Sequence, residues 1–341
     1  MTMMTNQAAA KPMTSKRVVL QVAALALSAY CLLHYAWLTE SPPEQKWTDS
    51  SSLIRSRSLS AVDLHPRCFI PREYRLSKQP TSPTYLASFH SGGGGKVVSS
   101  LAQALTGIAA TNQVNYARRR IDHSVLFESH YPFDGAIKVE DDANFRGTIL
   151  LLRNPIDAIL SSFNAFYALQ YHYLIDLRAP AEDQFRAPAE DWIRYRDSAQ
   201  FAAQVKLYQR FVIHWMNKYK KNREDLLLIT YEGLTGRRGE IFTKQIANFL
   251  DKSEGIHVID PDSIPCIWEK FVRDQWHPAN GHAAATSFQQ ERADDRPLTQ
   301  DQIRVVSRML QSLDERFGRR DKQFATIMNS YMKSLSGSVI V

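Results

Sequence analysis

The chain has 341 residues, of which 44% are hydrophobic, 11% aromatic and 23% charged. That is material for one large core or two modest ones, and it excludes wholesale disorder, a collagen-like repeat and a disulfide-dense miniature fold. The excess of 42 Lys and Arg over 35 Asp and Glu gives a net charge of +7, which favours anionic ligands or surfaces; no basic run stands out, and no nucleic-acid partner is expected.

Val18 to Leu38 (VVLQVAALALSAYCLLHYAWL) is an almost uninterrupted apolar run, and roughly 20 residues at about 1.5 Å each span the hydrocarbon of a bilayer. Lys11, Lys16 and Arg17 precede it without an acidic residue, and Glu40 follows. The positive-inside bias then puts residues 1–17 in the cytosol and everything after Leu38 in a lumen, as a single-pass type II signal anchor. A cleaved signal peptide is the alternative, but an apolar region of that kind is typically about 7–15 residues and no A-x-A site closes this one. In an oxidising lumen Cys68 and Cys266 could pair, although the sequence does not place them within reach. With no CxxC pair and no His/Cys cluster at ligand spacing, no metal is expected. There is no N-x-[ST] sequon.

Residues 39–80 are rich in Ser, Pro and Arg and read as a stem. From Thr81 to the end, residues 81–341, the texture is that of a globular domain. Short apolar, β-rich runs occur at Thr84 to Phe89, Ser124 to Ser129, Thr148 to Leu152 and Leu226 to Tyr231, with helical patterns between them. This alternation predicts an α/β fold with a parallel central sheet flanked by helices on both faces. Two amphipathic helices are expected at Arg238 to Leu250 and at Thr299 to Phe317, the second capped by Thr299 and stopped by Gly318. RAPAEDQF from Arg178 is followed at once by RAPAEDWI from Arg186; two copies of a period of eight do not make a solenoid, and the pair reads as a duplicated surface insertion between helices.

Three segments carry chemistry. The run His90-Ser91-Gly92-Gly93-Gly94-Gly95-Lys96 between a strand and a helix brings backbone N–H groups and a helix N-terminus to one point, which suits a phosphate. A Walker A loop would need Gly at position 90 and Ser or Thr at position 97, where the chain has His90 and Val97, so a kinase-like NTPase is disfavoured. In RNPIDAILS, Arg153 leaves a strand, Asn154 can cap, Pro155 opens a helix and Ser161 lies two turns on. That is a second candidate anion site, with a surface pair between Arg153 and Asp157 as the plainer alternative. His130, at the end of the strand between them, would face the crevice at the carboxyl ends of the strands and suits a general base.

In this order the three segments resemble the sulfotransferase family that uses 3′-phosphoadenosine-5′-phosphosulfate (PAPS), particularly its Golgi-anchored branch associated with WSC domains, here without a WSC domain. The resemblance spans about Thr81 to Phe317 and implies a P-loop-NTPase-like sulfotransferase fold behind one N-terminal transmembrane helix. His90 to Gly95 fall on the 5′-phosphosulfate loop, with Ser91 and Gly92 matching. Glu128-Ser129-His130 fall on the family's K-[ST]-H element, which makes His130 the counterpart of its catalytic base. Arg153 and Ser161 fall on the 3′-phosphate motif. Tyr231, Thr286, Ser287 and Phe288 look like adenine-side residues, and Arg292 like a late phosphate-binding cation. The chain departs from the family in having His90 at the active-site lysine, Gly93 and Gly94 at two Ser/Thr positions, Gly95 at the loop tryptophan and Glu128 before the K-[ST]-H serine; Lys96 could supply a cation from a shifted position.

The resemblance implies a Golgi membrane enzyme that moves a sulfuryl group from PAPS to a hydroxyl, on glycan, by in-line displacement without a metal. The alternative is a non-catalytic nucleotide- or partner-binding relic of the same fold. Acceptor identity and oligomeric state have no signal in the sequence.

Overall fold

Thr84 to Ser88 form β1, which is buried along its whole length, the environment that a strand covered on both faces requires. The computed structural model of the chain describes residues 74–90, 94–112, 120–132, 145–170, 187–273 and 298–336, all within the unit Asp63–Val341. In it β1 is the middle of a five-stranded sheet. On one side lie β3 (Leu126–Ser129) and then β2 (Thr111–Asn112); on the other lie β4 (Gly147–Leu152) and then β5 (Leu226–Thr230). Every pairing is parallel, as the alternation of strands and helices predicts.

Successive strand side chains point to opposite faces, and the sequence supplies apolar residues for both. Tyr85, Phe127, Leu150 and Leu228 face one core; Leu86, Leu126, Ile149 and Ile229 face the other. The second core is closed by α1 (Gly94–Thr106), the short α5 (Tyr231–Thr235), α6 (Gly239–Leu250) and α7 (Ile264–Trp268). The first is closed by α2 (Pro155–Gln170), α3 (Ala189–Arg196), α4 (Ala199–Lys218), α8 (Gln300–Phe317) and α9 (Lys322–Ser336). The helix after β1 therefore leaves toward one face and the helix after the adjacent β4 toward the other. Their divergence makes the carboxyl ends of β1 and β4 the switch point of the sheet, where open α/β folds place ligands.

The expected helix ends are present. Thr299 accepts from the Gln302 N–H while the Gln302 side chain accepts from the Thr299 N–H, a full capping box. Arg238 is the N-cap of α6. Three expectations need correction. Tyr74–Pro80 is not free stem: the Arg75 N–H donates to Gly107 O and its carbonyl accepts from Ala109 N, while Ser77 N donates to His123 O. The second octapeptide copy is not surface insertion either, because its Trp192 is 1% exposed and packs between Phe163, Tyr195 and Phe201. The third strand starts at Leu126, not Ser124, since Ser124 closes a 3-10 turn and donates to the Ile121 carbonyl. The expected membrane span, residues 18–38, lies outside the described residues, among which no helix is long and apolar enough to cross a membrane.

Candidate functional site

Parallel pairing sets Ala87 opposite Ser129, so the residues after β1 and β3 come out side by side. His130 is placed by this register. Its Nδ1 lies 3.2 Å from the Ser88 carbonyl and 3.3 Å from the Ser88 hydroxyl. A carbonyl only accepts, so Nδ1 carries the hydrogen, and in the neutral ring the lone pair is at Nε2. The ring is also packed edge-on to His90, 5.0 Å between centroids. An imidazole with one nitrogen tied back to the sheet and the other able to take a proton is the form a general base needs.

The Ser88 hydroxyl donates to Glu128 Oε1 at 3.3 Å, and Ser99 of α1 donates to Glu128 Oε2 at the same distance. Glu128 thus reaches under the first turn of α1. A Cβ built on Gly95 would stand 1.8 Å from Glu128 Oε1, and one on Gly94 would stand 2.6 Å from Leu151 Cδ2 and 3.0 Å from Tyr231 Cδ2. Gly94 and Gly95 therefore let α1 close on the side chains of Leu151, Tyr231, Glu128 and Ser88, which would have to shift to admit a larger residue. Both lie inside α1, not in a loop before it, while Lys96 is exposed on its first turn.

On the far side of β1, Arg153 follows β4 and is 7% exposed. Its guanidinium lies over the Tyr231 ring, 4.6 Å from the centroid, and its carbonyl accepts from the buried Tyr208 hydroxyl at 2.7 Å. Arg153 is therefore not at the surface but is a buried cation seated on an aromatic face, and its pairing with Asp157 stands beside that seat as the plainer alternative. Tyr231 itself is 4% exposed; burial pushes its hydroxyl pKa up to about 12, and the Arg153 charge partly opposes that shift. Asn154 caps α2 by accepting from the Ile156 N–H, and its own N–H donates to Glu232 Oε1 at 2.7 Å. Glu232 Oε2 accepts from Tyr331 of α9 at 3.0 Å. Ser161 is buried two turns along α2.

The fold brings His130, Gly94, Gly95, Lys96, Arg153, Ser161 and Tyr231 to the carboxyl edge of the sheet or the helices that leave it. Ser91, Gly92, Gly93, Thr286, Ser287, Phe288 and Arg292 lie outside the described residues. Sequence reading missed Ser88 as the partner of His130, because the contact depends on the β1–β3 register. It also missed the Asn154–Glu232–Tyr331 chain, whose two links join residues 78 and 99 positions apart. Among the described residues no group of three or more His, Cys, Asp or Glu is arranged to hold a metal ion. Comparison with models of known protein families finds no match, and none is found among curated proteins.

Proposed function

We propose that the chain is a PAPS-dependent sulfotransferase that acts on a hydroxyl acceptor of glycan type, held by a single-pass anchor with its globular part in the Golgi lumen. The observation that carries this reading is the pairing of a tautomer-fixed His130 with a buried, ring-seated Arg153 on either side of the β1 switch point. In the reaction, His130 Nε2 takes the acceptor proton as the acceptor oxygen forms a bond to sulfur and the bond from sulfur to the 5′-phosphate oxygen breaks. The leaving group is 3′-phosphoadenosine-5′-phosphate. Arg153 is suited to the 3′-phosphate by a charge-assisted contact, and the α1 N-terminus with Lys96 to the charge developing on the leaving phosphate.

The residues fit the donor unevenly. The Arg153 side offers a preorganised cation, whereas Glu128 sets a carboxylate beneath the 5′-phosphate end of the cradle. That carboxylate is the observation favouring the second reading, a relic of the fold that binds a nucleotide or partner without turnover.

The test is binding and transfer by the full chain. 3′-Phosphoadenosine-5′-phosphate should bind in preference to ATP with magnesium, and labelled sulfate should pass from PAPS to a glycan acceptor. His130→Ala should lower turnover by roughly 10²–10⁴-fold with donor affinity nearly unchanged, since a base acts on the acceptor proton in the transition state. Nucleotide binding without transfer to any acceptor would select the relic; preference for ATP with magnesium would sink both.

A further inference from the structure

The peptide plane between Arg153 and Asn154 belongs to no helix or strand, since β4 ends at Leu152 and α2 begins at Pro155. Both of its polar groups are nevertheless held, each by a side chain from a different layer. The Arg153 carbonyl accepts from the buried Tyr208 hydroxyl of α4 at 2.7 Å, and the Asn154 N–H donates to Glu232 Oε1 of α5 at 2.7 Å. A planar unit gripped at both ends restrains the backbone on either side of it, and with it the direction in which the Arg153 side chain leaves the chain. The Asn154 side chain is committed as well. Its Oδ1 accepts from the Ile156 N–H, and its Nδ2 donates to Ser334 Oγ of α9 at 2.8 Å.

Tyr231 and Glu232 divide the work on Arg153. Tyr231 seats the guanidinium on its ring, and Glu232 holds the peptide plane from which the side chain springs. Glu232 is exposed, and an exposed carboxylate on its own makes a loose anchor. Its second oxygen, however, accepts from the Tyr331 hydroxyl at 3.0 Å, and Tyr331 is 4% exposed, within the core that α9 closes. We infer that Glu232 is a positioning residue for Arg153, itself stayed by Tyr331, so that selection of a 3′-phosphorylated nucleotide depends on the C-terminal helix; the inference rests on the nucleotide reading of the Arg153 side.

Charge alone would give Glu232 the opposite effect. A carboxylate whose charge is felt at Tyr231 repels a phosphate brought to Arg153. If Glu232 only repels, its removal tightens phosphate binding. If it positions Arg153, truncation loosens binding, whereas glutamine, which keeps an oxygen for the Asn154 N–H and loses the charge, does not.

The test uses the full chain and two probes, 3′-phosphoadenosine-5′-phosphate and adenosine 5′-monophosphate, whose affinity ratio isolates the 3′-phosphate. In calorimetry the natural chain should favour the first by at least about tenfold, the scale of one charge-assisted contact. Water competes for an exposed carboxylate, so modest losses are expected. The ratio should fall about fivefold in Glu232→Ala and about threefold in Tyr331→Phe, and should be kept in Glu232→Gln. Affinity for adenosine 5′-monophosphate should hold in all three, which a generally loosened fold would not allow. If Glu232→Ala does not fold, Tyr331→Phe, which removes one hydroxyl, carries the same readout. A ratio unchanged or raised by Glu232→Ala, unchanged by Tyr331→Phe, or an equal loss of both nucleotides overturns the inference and leaves the nucleotide reading standing. A natural chain that binds the two probes equally sinks that reading and the inference with it. Selectivity lost as expected in a chain that transfers no sulfate supports the role of Glu232 and selects the relic.

Discussion

Glu128 accepts hydrogen bonds from Ser88 and Ser99 and lies against the first turn of α1, so a negative charge already sits at the point where the sequence predicts a phosphate. A donor phosphate brought to α1 would meet the favourable helix N-terminus and this unfavourable carboxylate together. The amide of Glu128→Gln keeps an oxygen for a serine donor and removes only the charge. We predict that it strengthens binding of 3′-phosphoadenosine-5′-phosphate by about tenfold, the scale of one screened like-charge contact. Calorimetry that shows no gain would mean the 5′-phosphate does not lie at α1. Threonine at position 94, which the family pattern suggests, is a different case: its Cβ would overlap Leu151 Cδ2 and crowd Tyr231, so both side chains would have to shift to admit it. At this scale the placement of His130 and Arg153 at the carboxyl ends of β3 and β4 was legible because each directly follows an apolar strand run. The His130 tautomer was not, since it is set by Ser88, 42 positions away, and the seat of Arg153 on Tyr231 was not, since β4 and β5 are joined only by the fold.

The elements were legible wherever periodicity was strong. Leu226 to Ile229 and Ile149 to Leu152 are unbroken apolar runs at the heart of the paired strands β5 and β4, and α8 carries both its cap and its apolar stripe in the sequence. The octapeptide repeat misled because its copies look alike while only the second ends in Trp-Ile. Trp192 turns inward beside Phe163 at 5.5 Å, and the adjacent Ile193 is 42% exposed. Burial of the larger side chain is what fixes α3 to α2 and α4. Trp192→Ala should cost about 3–5 kcal/mol, the range for removing a buried large aromatic, while Ile193→Ala should stay within about 0.5 kcal/mol. Urea unfolding of both variants measures the difference; similar small losses would mean that the second copy is indeed peripheral. The two-residue strand β2 escaped notice because Thr111-Asn112 has no apolar run at all and owes its pairing to β3.

For the whole molecule, the two-sided sheet was legible from strands without polar alternation, but its stability limits come from what is buried between the layers. Burial pushes Tyr85 and Tyr231 up to about 12 from an ordinary 10.0, and it also raises Tyr208 and Tyr331, with the Glu232 charge adding to both. Above the ordinary value the unfolded chain loses protons that the native state retains. Stability is then full below about pH 10 and falls as pH rises from about 10 toward 12; a thermal midpoint unchanged across that window would contradict the burial of these rings. The remaining constraint is covalent. Cys266, in α7, is disulfide-bonded, and of the other two cysteines Cys31 lies within the expected membrane span, which makes Cys68 the expected partner. A cross-link so far along the chain restrains the unfolded state, so reduction should cost about 2–5 kcal/mol. A disulfide of that kind persists only in an oxidising space, which ties stability to topology. Peptide mapping of protein taken from native membranes, without reductant, should recover a Cys68–Cys266 linked pair that vanishes on reduction. Both thiols free would place the globular part on the cytosolic side and overturn the lumenal reading, while a link from Cys266 to Cys31 would remove the expected span from the bilayer.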